Sequence, residues 1–236
     1  MSEPDTKTMI LDAAEGLFAE QGYAATSMRQ LATKAGVNLA ATNYHFGSKE
    51  DLAKAVLARR IEPINEERLR RLGALPARRT TVEAIVRAFV EPPLRAAPTA
   101  LAAGDDTTPA NRLCRVFGRI SVEQPPFLRT FLGEQFREVG RRFHDALATA
   151  LPGHGAAAIW WRLHFMVGAM AHTLQNSAAL ALLTGNLCNA NDVDALVEHL
   201  VAFAVGGLRA APAPLSRARS GKGTTTRSRR QEASRP

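Results

Sequence analysis

The chain has 236 residues, 46% of them apolar and 22% charged, enough to bury a core in one large or two small domains. Aromatic residues make up only 6%, Ala and Leu dominate, and runs of β-branched residues are scarce, which favours a mostly helical protein. The net charge of +8 is uneven: residues 1–60 carry 7 basic and 7 acidic side chains, residues 61–211 carry 16 and 14, and residues 212–236 carry 7 and 1, so charge alone does not establish a nucleic-acid partner.

The first helix is set by Ile10, Ala14, Leu17 and Phe18 on one face, with Asp5 or Thr6 at its start and Gly22 at its end. The second opens at Thr26 or Ser27. Ser27 followed by Gln30 has the spacing of a capping box, Met28, Leu31, Ala32 and Ala35 form the apolar face, and Gly36 stops the helix. Asn38 caps a third helix of barely two turns, Leu39 to about His45, before Gly47. Ser48 and Asp51 cap a fourth, expected to reach about Leu72 with Pro63 kinking or interrupting it. Two helices joined by the Gly-containing turn AGVN have a helix-turn-helix layout.

Further helices follow. Thr80 or Thr81 opens one that runs to about Ala97, disturbed by Pro92 and Pro93. Thr108 and Pro109 open the next, which carries Leu113, Val116, Phe117 and Ile120. A long helix follows with Phe127, Phe131, Phe136, Val139, Phe143 and Leu147 on its apolar stripe. The eighth is apolar round most of its circumference and therefore needs cover on all sides, which points to a subunit interface as well as a core. Asn191 or Asp192 caps the last, to about Arg209. The expected fold class is all-α: a three-helix helix-turn-helix domain over residues 1–50, a helical bundle over 51–211, and a basic tail over 212–236 whose composition predicts disorder. No apolar run reaches the roughly 18 residues of a membrane span. The opening MSEPDTK lacks a secretion-signal layout, so Cys114 and Cys188 read as reduced thiols and the expected compartment is the cytoplasm.

The third helix has the composition of an element laid in a DNA major groove. Val37, Leu39 and Phe46 can anchor it to the core. Ala40 and Ala41 permit close approach, and Thr42 is a candidate for touching a thymine methyl. Asn43 can read adenine, while Tyr44 and His45 suit phosphate oxygens. Asn38 and Lys49 stand at the two neighbouring helix starts, and Thr26, Ser27 and Arg29 could clamp the flanking backbone. For Tyr44 or His45 taken alone, a place at the core edge or an idle surface position is an equally good reading.

Residues 10–57, with LF, GY and T at the start and AGV, YHF and SKE at the end, resemble the DNA-binding domain of the TetR family of bacterial transcriptional regulators. The resemblance implies a homodimer that presents two recognition helices to a palindromic operator in double-stranded DNA, and a C-terminal domain that binds a small effector and dimerises. Asn43 stands where that family usually has a phosphate-contacting Tyr. NLAATNYHFGSK and WWRLHFMVGAMAHTL also resemble the fatty-acid-responsive PsrA-type regulators, which implies a fatty acid or acyl-CoA effector.

An acyl ligand needs an apolar channel with a polar or cationic mouth. Phe89, Leu113, Phe117, Phe131, Phe136, Phe165, Met166 and Met170 are candidates for the lining, and Arg115, Arg119 and His164 for the mouth. Each has a plainer reading as ordinary core or solvated surface. Dimerisation through the last two helices is expected from the small residues Gly168, Ala169, Ala171, Ala178, Ala179 and Ala181, and from Val197, Leu200, Val201, Phe203, Ala204 and Leu208. An enzyme is unmotivated: the chain has no phosphate-loop glycine pattern, no metal-ligand spacing and no nucleophile elbow, and no cofactor is implied. The rival is an architectural DNA-binding protein that relies on its basic tail and takes no effector.

Overall fold

A computed structural model describes residues 5–76, 79–96, 109–185, 187–189 and 192–211, with side chains in the sixth helix described from Arg115 onward and those of Ser177 and Ala178 outside the description. Among the described residues there are nine α-helices: α1 (Thr6–Gln21), α2 (Met28–Ala35), α3 (Leu39–Phe46), α4 (Lys49–Gly73), α5 (Val82–Ala96), α6 (Pro109–Glu123), α7 (Pro126–Ala150), α8 (Ala156–Leu183) and α9 (Val193–Arg209).

The helix starts follow local chemistry. Ser27 and Gln30 form the reciprocal capping box of α2. Asn38 Oδ1 accepts from the Ala41 N–H at 2.7 Å, Ser48 Oγ from the Asp51 N–H at 3.0 Å, and Thr81 Oγ1 from the Ala84 N–H at 3.1 Å. Asp192 caps α9 through the Ala195 N–H. Asp5 holds the cap position of α1 without a side-chain bond. Thr108, Asn191 and the segment 212–236 lie outside the described residues.

The prolines do not end their helices. α4 continues through Pro63 and α5 through Pro92 and Pro93. Each proline removes one backbone donor, but both helices are held laterally. Asn65 Nδ2 donates to the Gln135 carbonyl, joining α4 to α7. Arg71 pairs with Glu91 at 2.6 Å, joining α4 to α5, and Arg87 pairs with Glu198 at 2.6 Å, joining α5 to α9.

Two apolar cores result. The first contains Ile10, Phe18, Leu31, Phe46, Leu52 and Leu57 from α1–α4, and also Val116 and Ile120 from α6 and Phe127, Leu128 and Phe131 from α7. The second joins α5, the rest of α7, α8 and α9 around Val86, Phe89, Phe143, Leu163, Met166 and Leu200. Each fully buried large side chain contributes about 1.5–3 kcal/mol. The three-helix head shares this core with the bundle, whose α6 and α7 help to close it. The polar tie within the head is Glu15, only 2% exposed, which accepts from Arg60 at 2.8 Å and from Arg59, locking α1 to α4.

Candidate nucleic-acid interface

α3 divides its side chains between inside and outside. Phe46 is buried in the first core, while Asn43, Tyr44 and His45 are exposed. Tyr44 is 87% exposed, and its only ring neighbour among the described residues is the His45 imidazole, edge-on at 5.4 Å. Ala40 is open to solvent and Leu39 is 43% exposed, so the N-terminal turn of α3 is a narrow surface without bulky polar groups. Ala41 is half-buried, and its N–H is held by Asn38 Oδ1.

The Thr42 side chain is turned inward and is wholly buried, its hydroxyl donating to the Asn38 carbonyl at 3.5 Å. It cannot meet a base edge from there, so the expectation of a Thr42 base contact is corrected. The helical period explains this: Thr42 lies one turn before the core anchor Phe46 and shares its face.

Thr26 is also buried. Its hydroxyl donates to the Gly22 carbonyl at 2.7 Å and accepts from Gln21 Nε2 at 3.1 Å, so it closes the turn between α1 and α2 instead of clamping a phosphate. Lys49 is drawn to the same turn. Its Nζ donates to the Tyr23 carbonyl at 3.0 Å and the Thr26 carbonyl at 2.9 Å, and it sits 4.4 Å from the centre of the Tyr23 ring. Lys49, expected among the DNA-contacting residues, thus holds the turn ahead of α2.

Ser27 and Arg29 remain outside, at the start of α2. Ser27 is exposed and engaged in its capping box. Arg29 is exposed and makes no ion pair among the described residues. It lines a shallow depression with Ser27, Gln30, Thr33 and Lys34. Lys34 is held by Glu20 at 2.8 Å, Lys54 by Glu50 at 2.7 Å, Arg59 by Asp12 at 2.6 Å and Arg60 by Glu15 at 2.8 Å. Of the seven cations in residues 1–60, Lys7 and Arg29 alone are left without a described polar partner.

One contact that holds the turn ahead of α2 is not visible from the sequence. Glu123, the last residue of α6, accepts from the Ala24 N–H at 2.7 Å. Gly22 gives it access. At φ 90° and ψ 169°, Gly22 occupies a region nearly restricted to glycine, and a Cβ there would stand 2.0 Å from Glu123 Oε1. The turn ahead of α2 is thus gripped from one side by Lys49 of α4 and from the other by Glu123 of α6.

The six expected effector residues do not converge. Phe117 and Phe131 pack into the core shared with the head. Arg115 is half-buried and Arg119 is exposed. His164 and Phe165 lie on the open face of α8 beside Trp161, with Phe165 61% exposed. Of the residues expected at an interface, Val197, Leu200, Val201, Ala204 and Leu208 of α9 are buried within the protomer and Phe203 faces out, while Gly168 and Ala179 of α8 are exposed. No helix among the described residues is long and apolar enough to cross a membrane, and none of their His, Cys, Asp and Glu side chains gather in a group able to hold a metal.

Residues 10–56 match the family described as bacterial regulatory proteins, tetR family, and residues 87–207 match the tetracyclin repressor-like C-terminal domain. The chain belongs to the TetR family. Among its relatives, the HTH-type transcriptional regulator SrpR of Pseudomonas putida is 40% identical over 60 residues, which cover 25% of this chain and 28% of that protein. The chain thus spans under a third of that relative's length. Over the whole fold, the TetR-family chain is similar to the fatty acid degradation regulator FadR from Bacillus halodurans, with a TM-score of 0.63 at 17% identity, covering 89% of this chain and 99% of that one. It is also similar to FadR from Bacillus subtilis, solved in complex with stearoyl-CoA, with a TM-score of 0.58 at 16% identity, covering 85% and 98%. At these identities the likeness establishes the fold.

Proposed function

We propose that this TetR-family protein is a homodimeric repressor that binds a palindromic operator through the outer face of α3 and leaves it when a small apolar effector enters the C-terminal bundle. The observation that carries the DNA-binding part is the side-chain division in α3. Asn43, Tyr44 and His45 stand in solvent on a helix whose other face is locked into the core. A nearly fully exposed tyrosine beside a histidine on a rigid short helix has no stability role, whereas both groups donate readily to phosphate oxygens. Asn38, Ala41 and Asn43 complete the reading surface, and Ser27 and Arg29 flank it.

The dimer reading rests on exposed apolar groups. Trp161, Phe165, Leu182, Leu183 and Phe203 of α8 and α9 are each at least 60% exposed, and Trp161 and Phe165 stack side by side at 5.8 Å, an apolar surface of the kind that favours an interface. The effector reading draws on the stearoyl-CoA carried by the Bacillus subtilis neighbour and favours a fatty acid or acyl-CoA. Coupling would use the two grips on the turn ahead of α2: a shift of α6 or α4 is passed on by Glu123 or Lys49.

Native mass spectrometry of the purified protein, alone and with operator selected from random DNA, tests this reading. A dimer that carries a lipid-sized ligand and loses it on binding operator is the expected result. A monomer, or a dimer that shows no preference for selected over random DNA, contradicts it.

A further inference from the structure

Arg68 is the least expected side chain in the bundle. It follows Ile61 and Asn65 along the inner stripe of α4 and is 3% exposed. Its guanidinium lies over the Phe89 ring, 4.1 Å from the centre. Nε donates to the Phe89 carbonyl at 2.9 Å, one terminal nitrogen donates to Asn65 Oδ1 at 3.2 Å, and the other finds only the Met170 sulfur, at 3.7 Å. All three acceptors are neutral, and a thioether is a weak one.

No carboxylate among the described residues lies within ion-pair distance of Arg68. Of the acids near it on the same two helices, Glu67 is taken by Arg70 and Arg71 and Glu91 by Arg71 and Arg95, while Glu62 and Glu66 are exposed. Burial pushes the Arg68 guanidinium down to about 9, which leaves it positive at neutral pH. A buried charge with no counter-charge is costly, and an apolar residue of similar length would fill the same space without that cost. Part of this has a structural reason: Pro93 cannot donate to the Phe89 carbonyl four residues back, and Arg68 Nε replaces that donor. That role needs one N–H and explains neither the buried charge nor the terminal nitrogen left against a sulfur.

The surroundings suit an amphipathic anion. Phe89, Phe143, Leu163, Met166 and Met170 belong to the same core cluster, and two of the five are unbranched thioethers that repack readily. We propose that Arg68 is the anion site of the bundle: it takes the carboxylate of a free fatty acid in place of the Met170 sulfur, with the hydrocarbon chain among Phe89, Phe143, Met166 and Met170. This rests on the reading of the bundle as an effector domain and narrows the effector to a carboxylic acid. A planar guanidinium fits a carboxylate through two parallel bonds.

The test compares hexanoate, decanoate and tetradecanoate with the alcohols of the same lengths, on wild type and R68M, by calorimetry and by operator release. R68M removes the buried charge but also the donor to the Phe89 carbonyl, so its melting without ligand is measured first to show that it folds. At least one acid should bind wild type about tenfold tighter than its alcohol, the scale of a charge-assisted bond, and that advantage should vanish in R68M. If R68M does not fold, R68K keeps the charge but not the fork, and the advantage must shrink there. Acids that bind no tighter than alcohols, or an advantage that survives the substitution, would overturn the proposal. Alcohols that release operator as well as the acids do would remove Arg68 and leave the effector reading standing.

Discussion

Replacing Gly22 with Ala should do two separable things. The first is local: φ 90° with ψ 169° is a backbone state that a Cβ disfavours by about 1–3 kcal/mol. The second is relayed: the new methyl would occupy space 2.0 Å from Glu123 Oε1, so the carboxylate must withdraw from the Ala24 N–H it now holds at 2.7 Å. That bond is charge-assisted but at the surface, which places its loss near about 1 kcal/mol, below the buried range. Gly22→Ala should therefore cost about 2–4 kcal/mol in wild type and about 1–3 kcal/mol in the Glu123→Ala background. Urea unfolding of the four proteins measures both penalties, and operator titration of the same set shows whether the lost grip loosens the reading head. Equal penalties in the two backgrounds would refute the claim that Gly22 is glycine in order to admit Glu123.

Thr42→Val should leave operator affinity unchanged and cost under about 1 kcal/mol, because the hydroxyl is buried and its bond to the Asn38 carbonyl is long, at 3.5 Å; gel-shift and thermal melting measure the two. With residues 212–236 deleted, the dimer should show a shallow salt dependence, a slope of about −4 in log K against log salt, since Lys7 and Arg29 are the two head cations per protomer left without a described partner. A slope near twice that would mean that the ion-paired cations also neutralise phosphates. Glu67 is held at about 2 by its bonds to Arg70 and then Arg71. A carboxyl depressed in the folded state adds stability above its unfolded value and loses it as pH falls through the folded one. Wild type should thus lose melting temperature relative to Glu67→Gln between about pH 4.5 and about pH 2, by a small margin because the group is solvent-screened.

Local chemistry made much of the fold legible in the sequence. The capping residues Ser27, Asn38, Ser48 and Asp192 and the stops at Gly36 and Gly47 stand where a reader of helix ends would put them. Thr42 was misread for a physical reason: its methyl suggested contact with a thymine methyl, while its spacing of four from Phe46 already marked the inner face. Periodicity was the stronger signal there. Lys49 and Glu123 could not be placed, because their partners are backbone groups of a turn more than twenty residues away in one case and nearly a hundred in the other. Phe117 and Phe131 looked like pocket lining because apolar spacing does not say which of two cores a helix faces. Arg68 carried a readable hint, its register with Ile61 and Asn65, but a run of neighbouring charged residues hid it.

The central claim is that the open face of α3 reads DNA. Operator should be selected from random sequence with wild type, and its affinity then compared with that for random DNA at physiological salt, for wild type and for a triple variant in which Asn43, Tyr44 and His45 are all Ala. All three are exposed, so the variant should melt with wild type and remain a dimer. It should bind selected operator at least about tenfold more weakly, with its preference over random DNA largely gone. A folded triple variant that keeps wild-type affinity and preference would contradict the account.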